Sequence, residues 1–214
     1  MLTTRKHQSR PVRNKPTLQD RSRPGKGITK EPPPPRFEAK AKRREMMNLI
    51  RVSNAAEHLD HLPSPGCAIH AIMKGNYSYA DMIPAVLKLS SPTKIDYLAA
   101  TTLGFSQKAA LQLIDLIDSE SVRTIDFICA DFFEKADPEI CQFTREELTR
   151  RGSRFSSARC HAKIILMGLD NGTRYVSESS ANIRACRSIE QFALTNDPDL
   201  YAFHREWINE LMDG

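Results

Sequence analysis

The sequence predicts an α/β domain in which a mixed, largely parallel sheet is flanked by helices, with a disordered basic arm at its N-terminus. Three observations lead there. Between residues 67 and 151, short apolar runs alternate with amphipathic stretches, the order expected of strands joined by crossover helices. The last third changes to short strand-like runs separated by turns such as Asn171-Gly172, closed by one amphipathic segment. Finally, 214 residues at 40% hydrophobic and 27% charged are enough for one ordinary core and too few for two large ones.

Taken in order, Phe37 to about His58 combines strong helix formers with an intermittent apolar face at Met46, Met47, Leu49 and Ile50, and predicts a lead-in helix. After the turn signal Pro63-Ser64-Pro65-Gly66, Cys67–Met73 reads as a strand and Tyr79–Leu89 as a helix. Ile95–Leu103 is a second strand, and Ser106 is placed to cap a helix running to Asp118. Arg123–Ala130 reads as a strand and Pro138–Arg151 as a helix. Arg159–Met167, Arg174–Ser177 and Gln191–Thr195 follow as short strands. Pro198, tolerated in a first helical turn, opens a closing helix to about Met212. The expected organisation is therefore an arm over 1–36, a lead-in helix over 37–62 and the α/β domain over 63–214.

Charge divides the chain sharply. Residues 1–44 hold fourteen Lys or Arg against Asp20, Glu31 and Glu38, a net +11, so 45–214 carries −6 of the total +5. The arm also has seven of the thirteen prolines and almost nothing with which to build a core. Such an arm suits a solvated or partner-docking tail, or electrostatic attachment to nucleic acid, where closely spaced cations displace condensed counterions. No apolar stretch reaches the roughly 18 residues of a spanning helix, and no apolar leader accompanies the N-terminal charges, so the expectation is a cytoplasmic protein without a membrane span. The five cysteines form no CxxC pair, and no Gly-rich phosphate loop is present.

The chemistry-bearing residues lie between His161 and Asp197. His161 and Lys163, two apart at the start of an expected strand, direct an imidazole and an ammonium to one face. Ser179-Ser180-Ala181-Asn182 follows the next strand and offers hydroxyls and an amide, the donors a phosphate requires. Glu190 opens a third strand in an apolar context, where a carboxylate needs a partner, and a histidine is the natural one. Arg184 and Arg187 flank the turn and that strand.

This ordered set resembles the phospholipase D superfamily, whose motif is HxK, four residues and Asp, then a Gly-Ser-x-Asn turn and a strand-starting Glu. The resemblance covers about residues 155–212. It implies that His161 is the nucleophile, forming a phosphohistidine, and that Lys163 and Asn182 hold phosphoryl oxygens. It further implies that Ser180 adds a hydroxyl, that Glu190 orients the histidine, and that neither metal nor other cofactor is needed. The physical chemistry agrees, because a neutral imidazole with a fixed tautomer is a competent nucleophile and fixed donors stabilise charge on phosphoryl oxygens. Two positions depart from the motif: Gly168 stands where its Asp would fall, with Asp170 two residues later, and Ser179 replaces the first Gly of the turn.

Family members bring two such motifs together, and this chain has one HxK, so the resemblance implies a homodimer sharing one active site. With the +11 arm, nucleic acid is the expected substrate and endonucleolytic cleavage the expected reaction. The acidic body opposes a polyanion unless a local basic groove forms, for which Lys74, Arg154, Arg159, Lys163, Arg174, Arg184 and Arg187 are the candidates, with Arg184, Arg187, Ser179 and Ser180 nearest the substrate. A catalytically degenerate nucleic-acid-binding or scaffolding protein and a phospholipid phosphodiesterase are the alternatives. The loops after the first two strands, Gly75–Ser78 and Thr101–Gly104, lie where α/β sheets assemble sites, although Ser78 reads first as a helix cap.

Overall fold

The computed structural model describes residues 50–75, 77–184 and 188–214. The basic arm, most of the lead-in helix, and Cys186 and Arg187 lie outside the described residues. Helix α1 is described over 50–59 and ends within one residue of the expected His58. Strand β1 (Ala68–Met73) leads through a single 3-10 turn (Tyr79–Asp81) into α2 (Met82–Ser90), so the helix expected over Tyr79–Leu89 is split. Asp81 stands at the join: it is fully buried and accepts hydrogen bonds from the Ser78 backbone N–H (2.6 Å), the Ser78 hydroxyl (3.0 Å), Gln112 Nε2 (3.3 Å) and Arg51 (3.3 Å). A buried carboxylate survives only with such a set of donors.

The chain continues through β2 (Ile95–Thr102), α3 (Gln107–Asp118), β3 (Val122–Ala130), α4 (Asp131–Ala136) and α5 (Pro138–Arg150). Ser106 caps α3 as expected, accepting from the Ala109 N–H at 3.3 Å. Helix α4 is a short additional element between β3 and α5. It is held by Glu134, which bonds to Arg145 of α5 and Ser157 of the next strand, and these bonds hold its carboxyl below the ordinary glutamate range. The segment 159–167 is not one strand, as the sequence suggested. The chain instead makes β4 (Arg154–Ala158), breaks over 159–163, and resumes as β5 (Ile164–Leu169). The two strands belong to distant positions in the sheet, so the break is a topological requirement invisible to local pattern. Strands β6 (Arg174–Ser179) and β7 (Glu190–Asn196) and helix α6 (Pro198–Asp213) complete the domain.

The seven strands form one mixed sheet in the order β1-β7-β6-β5-β2-β3-β4. Pairing is parallel between β2, β3 and β4 and antiparallel at the other four seams, so β5 and β7 run against the remaining five. The largely parallel character is thus one of strand direction, while adjacent pairs are mostly antiparallel because β5 and β7, which run against the rest, each lie between two oppositely directed strands. Helices cover both faces. On one side Leu98, Ile125, Phe127, Ile165 and Met167 pack with α2, α3 and α5; on the other, Ile128, Ile164, Leu166 and Val176 pack under Tyr201 and Ile208 of α6.

Helix α6 is fixed at its start by Asp197, whose side chain accepts from the Asp199 N–H (2.8 Å) and the Leu200 N–H (3.1 Å), with Pro198 in the first turn. Asp197→Ala is expected to cost about 1 kcal/mol. For a domain this size that lowers the thermal midpoint by about 2–4 °C, read by calorimetry or circular dichroism. No helix among the described residues is long and apolar enough to cross a membrane.

Candidate active site

Strand polarity brings the chemistry to one edge. Strands β1, β2 and β6 end there, and β5 and β7 begin there, so Met73, Thr102, Ser179, Lys163 and Glu190 all reach the same rim. Backbone bonds fasten the pieces: Ser179 N–H to Lys163 C=O (3.0 Å) and Ser180 N–H to Gln191 C=O (3.1 Å). Open α/β sheets characteristically bind ligands beyond the carboxyl ends of strands.

His161 and Lys163 sit in the break before β5 rather than within a strand, yet their side chains meet. Lys163 Nζ is 3.0 Å from His161 Nδ1 and donates to the His161 carbonyl at 2.8 Å. Partial burial pushes the Lys163 pKa down; the charges of Cys160 and Glu190 push it up, but less. The ammonium is therefore discharged at lower pH than that of an ordinary lysine. Binding of a tetrahedral oxyanion such as tungstate should accordingly weaken, as pH rises, earlier than lysine chemistry alone dictates. Lys163→Arg should remove that alkaline limb, because guanidinium stays charged. A limb unmoved in the arginine variant would assign it to another group.

Glu190 does not meet the histidine expectation. Its carboxylate accepts a short hydrogen bond from the Ser180 hydroxyl, whose oxygen accepts the Gln191 N–H at 3.0 Å, and its charge is felt at Lys163. The cross-strand register explains this. Ser179 lies opposite Phe192, so Ser180 stands beside the β7 strand start, while His161 lies beyond β6. The Ser179 hydroxyl donates to the Gln191 carbonyl (2.6 Å) and accepts from the Ala181 N–H (3.0 Å), shaping the turn. Both serines therefore have protein partners, and Ser179 serves as turn framework rather than as an open donor.

Asn182 is oriented from β2. Its Oδ1 accepts from the Leu103 N–H at 3.2 Å and lies 3.5 Å from Thr102 Oγ1. A backbone N–H can only donate, so the oxygen must face it and the Nδ2 hydrogens must face away. The sequence placed Thr101–Gly104 near the cleft only as a loop, and nothing in composition or spacing marked its hold on Asn182. The loop after β1 contributes too: Gly75, Tyr77, Ser78 and Tyr79 line a small cleft with Ala181, Arg184 and Glu190. Burial, with the nearby Asp81, raises the Tyr77 pKa to about 12, so its phenol stays protonated, and it is hydrogen-bonded with His58 Nδ1 at 2.6 Å.

The basic groove is smaller than the sequence suggested. Lys74, Arg159 and Arg184 follow strand ends or the SSAN turn at this rim, and none makes an ion pair with a described residue. Arg154 and Arg174 begin their strands and so lie at the opposite edge. Arg154 grips buried Asp126 at 2.8 and 2.6 Å and also pairs with Asp213, while Arg174 donates to the Leu169 and Thr173 carbonyls. Arg187 lies outside the described residues.

The position of the motif's missing acid is also resolved. A Cβ at Gly168 would stand 2.7 Å from Tyr201 Oη and 3.6 Å from Arg174 Nη1. The α6 tyrosine occupies the space an aspartate would need. Asp170 does not replace it, for it is exposed in the turn beyond β5, its N–H bonded to the Lys94 carbonyl. Both are at the far end of β5 from Lys163, so this departure leaves the rim's donors in place.

The chain is thus a mixed sheet with helices on both faces, and the segments bearing His161, Lys163, Asn182 and Glu190 reach one rim of it. Among solved structures the chain is similar to polyphosphate kinase from Porphyromonas gingivalis, with a TM-score of 0.50 and 14% identity over 73% of this chain and 28% of that one. It is also similar to Nuc, a phospholipase D family member from Salmonella typhimurium, with a TM-score of 0.48 and 14% identity over 69% of this chain and 94% of Nuc. A yeast tyrosyl-DNA phosphodiesterase variant follows at a TM-score of 0.38 and 13% identity over 60% and 32%. The chain thus spans less than a third of the kinase and of the yeast phosphodiesterase. No family model and no curated protein matches it.

Proposed function

We propose that the protein is a phosphodiesterase that needs no metal and cleaves nucleic acid endonucleolytically through a covalent phosphohistidine at His161, two copies of the chain supplying the two histidines of one site. The observation that carries this reading is the meeting of His161 and Lys163 at 3.0 Å on the rim to which β2 fastens the Asn182 amide oxygen.

A diester phosphate entering the rim competes for the Lys163 ammonium and draws it from the imidazole onto a phosphoryl oxygen. Asn182 Nδ2 donates to a second oxygen. A freed imidazole nitrogen attacks phosphorus as the bond to the leaving oxygen breaks, and the second histidine protonates that oxygen. Water, deprotonated by the same second histidine, then cleaves the phosphorus–nitrogen bond and returns the imidazole. Ser180 and Glu190 hold the turn and place a negative charge beside Lys163, which offsets part of the desolvation that lowers its pKa.

Lys74, Arg159 and Arg184 supply the local positive rim a polyanion requires, and the +11 arm adds long-range attraction. The test is a brief reaction with a DNA or RNA diester, quenched at alkaline pH, followed by mass spectrometry. A phosphoryl group on His161, still esterified to one nucleic-acid fragment, is expected, together with a dimer in sedimentation at working concentration. Tight nucleic-acid binding with no turnover of any diester would favour the binding-protein alternative instead. Head-group release from liposomes with DNA left intact would favour the lipid one.

A further inference from the structure

Two neighbouring threonines at the end of β2 are fully buried, although neither is apolar and neither belongs to the motif set. The shorter hydrogen bonds of both hydroxyls run to backbone, and Thr102 Oγ1 also lies 3.5 Å from Asn182 Oδ1. Thr101 Oγ1 donates to the Ala162 carbonyl and accepts from the Ile164 N–H, both at 3.1 Å. It thereby grips the segment on either side of Lys163. Thr102 Oγ1 accepts from the Ile183 N–H at 3.0 Å and donates to the Gly104 carbonyl at 2.9 Å. It grips the residue after Asn182 and, through Gly104, the loop whose Leu103 N–H holds the Asn182 amide.

We propose that Thr101 and Thr102 are positioning residues that fix the distance between the His161–Lys163 segment and Asn182, so that ammonium and amide donors converge on one tetrahedral oxyanion.

The reason lies in the chain's path. The His161–Lys163 segment is outside regular pairing and Asn182 sits in a turn, so neither is held by a strand ladder. Consecutive residues of one strand project to opposite faces, so adjacent hydroxyls reach two different segments from a single rigid element. Each hydroxyl uses its one proton and one lone pair, which leaves little rotational freedom. A backbone bridge between Phe105 and Ile183 and a Ser106 N–H bond to the Ile183 carbonyl (3.4 Å) continue the same seam. The rim's two anion donors are therefore referenced to β2, a central strand.

The clamp rests on reading this rim as a phosphate site, so its test uses tungstate binding alongside diester cleavage. Thr101→Val and Thr102→Val keep shape and remove the hydroxyl; Thr101→Ser and Thr102→Ser keep the hydroxyl. The valine variants are expected to lose about 10- to 100-fold in kcat with KM changed less, the size of effect that misplacement by about 1 Å produces. Tungstate binding should weaken at least tenfold in the valine variants, and the serine variants should stay within about threefold of wild type in both readouts. Should a valine variant fail to fold, the matching cysteine variant takes its place, and cleavage equal to wild type would refute the clamp. Valine variants that bind and cleave like wild type, or serine variants that lose as much as valine, would overturn it. A wild-type protein that binds tungstate but cleaves nothing would refute the diesterase reading alone, leaving binding to judge the clamp. One that does neither would refute both.

Discussion

Replacing His161 with alanine is expected to lower diester cleavage by at least about 10³-fold, since loss of a covalent nucleophile removes the low-barrier route rather than one contact within it. Wild-type cleavage should persist in excess EDTA, because the proposed steps use an imidazole, an ammonium and an amide. Lys163→Met should be comparably damaging while leaving the fold intact, since Lys163 is partly exposed and its hydrogen bonds run to His161. Mixing subunits gives the sharper measurement. If each site needs His161 from both copies, re-equilibrated mixtures of wild type and His161→Ala should lose activity as the square of the wild-type fraction. A linear loss would show that one chain suffices and would remove the shared site. Activity that disappears on chelation and returns with a divalent cation would reassign the chemistry altogether.

Installing the motif's acid should harm this protein. Gly168→Asp introduces a side chain whose Cβ would stand 2.7 Å from Tyr201 Oη, inside the packing of α6 against β5 and β6. Arg174 is near enough to partner the new carboxylate, which limits the charge penalty, but the volume has nowhere to go. A loss of about 1–3 kcal/mol is expected, read as a lower denaturant midpoint. The double variant Gly168→Asp, Tyr201→Ala should recover part of that loss, since it vacates the clash. Diesterase activity per folded molecule should stay close to wild type, because position 168 is at the far end of β5 from Lys163. A rise in activity in the Gly168→Asp variant would show instead that the departure from the motif has weakened the site. An unchanged midpoint would show that Tyr201 moves aside freely.

Much of the candidate site was legible because its residues are close in sequence order and chemically distinctive. His161, Lys163, Asn182 and Glu190 follow one another across three short segments, and the structure brings those segments to one rim. Side-chain partners and the edge at which a strand ends are not legible in the same way. The apolar setting of Glu190 predicts a histidine partner, whereas the register of β6 and β7 gives it the Ser180 hydroxyl. Arg154 and Arg174 looked like substrate ligands, yet each begins its strand, so strand direction sends both to the opposite edge and commits Arg154 to Asp126. Thr101 and Thr102 escaped notice because two threonines closing an apolar strand carry no signal of their own; their meaning comes from neighbours more than sixty residues away.

The amino-acid order by itself determined the alternation of strands and helices, the division between a basic arm and an acidic body, and the set of groups able to handle a phosphate, because periodicity, charge and functional-group chemistry are local properties. Only the tertiary structure decided that β5 inserts between β6 and β2, that Tyr201 fills the space beside Gly168, and that β2 holds Asn182 in place. Those outcomes depend on which strands share backbone hydrogen bonds and in what register, and a shift of one residue there exchanges every buried side chain for an exposed one.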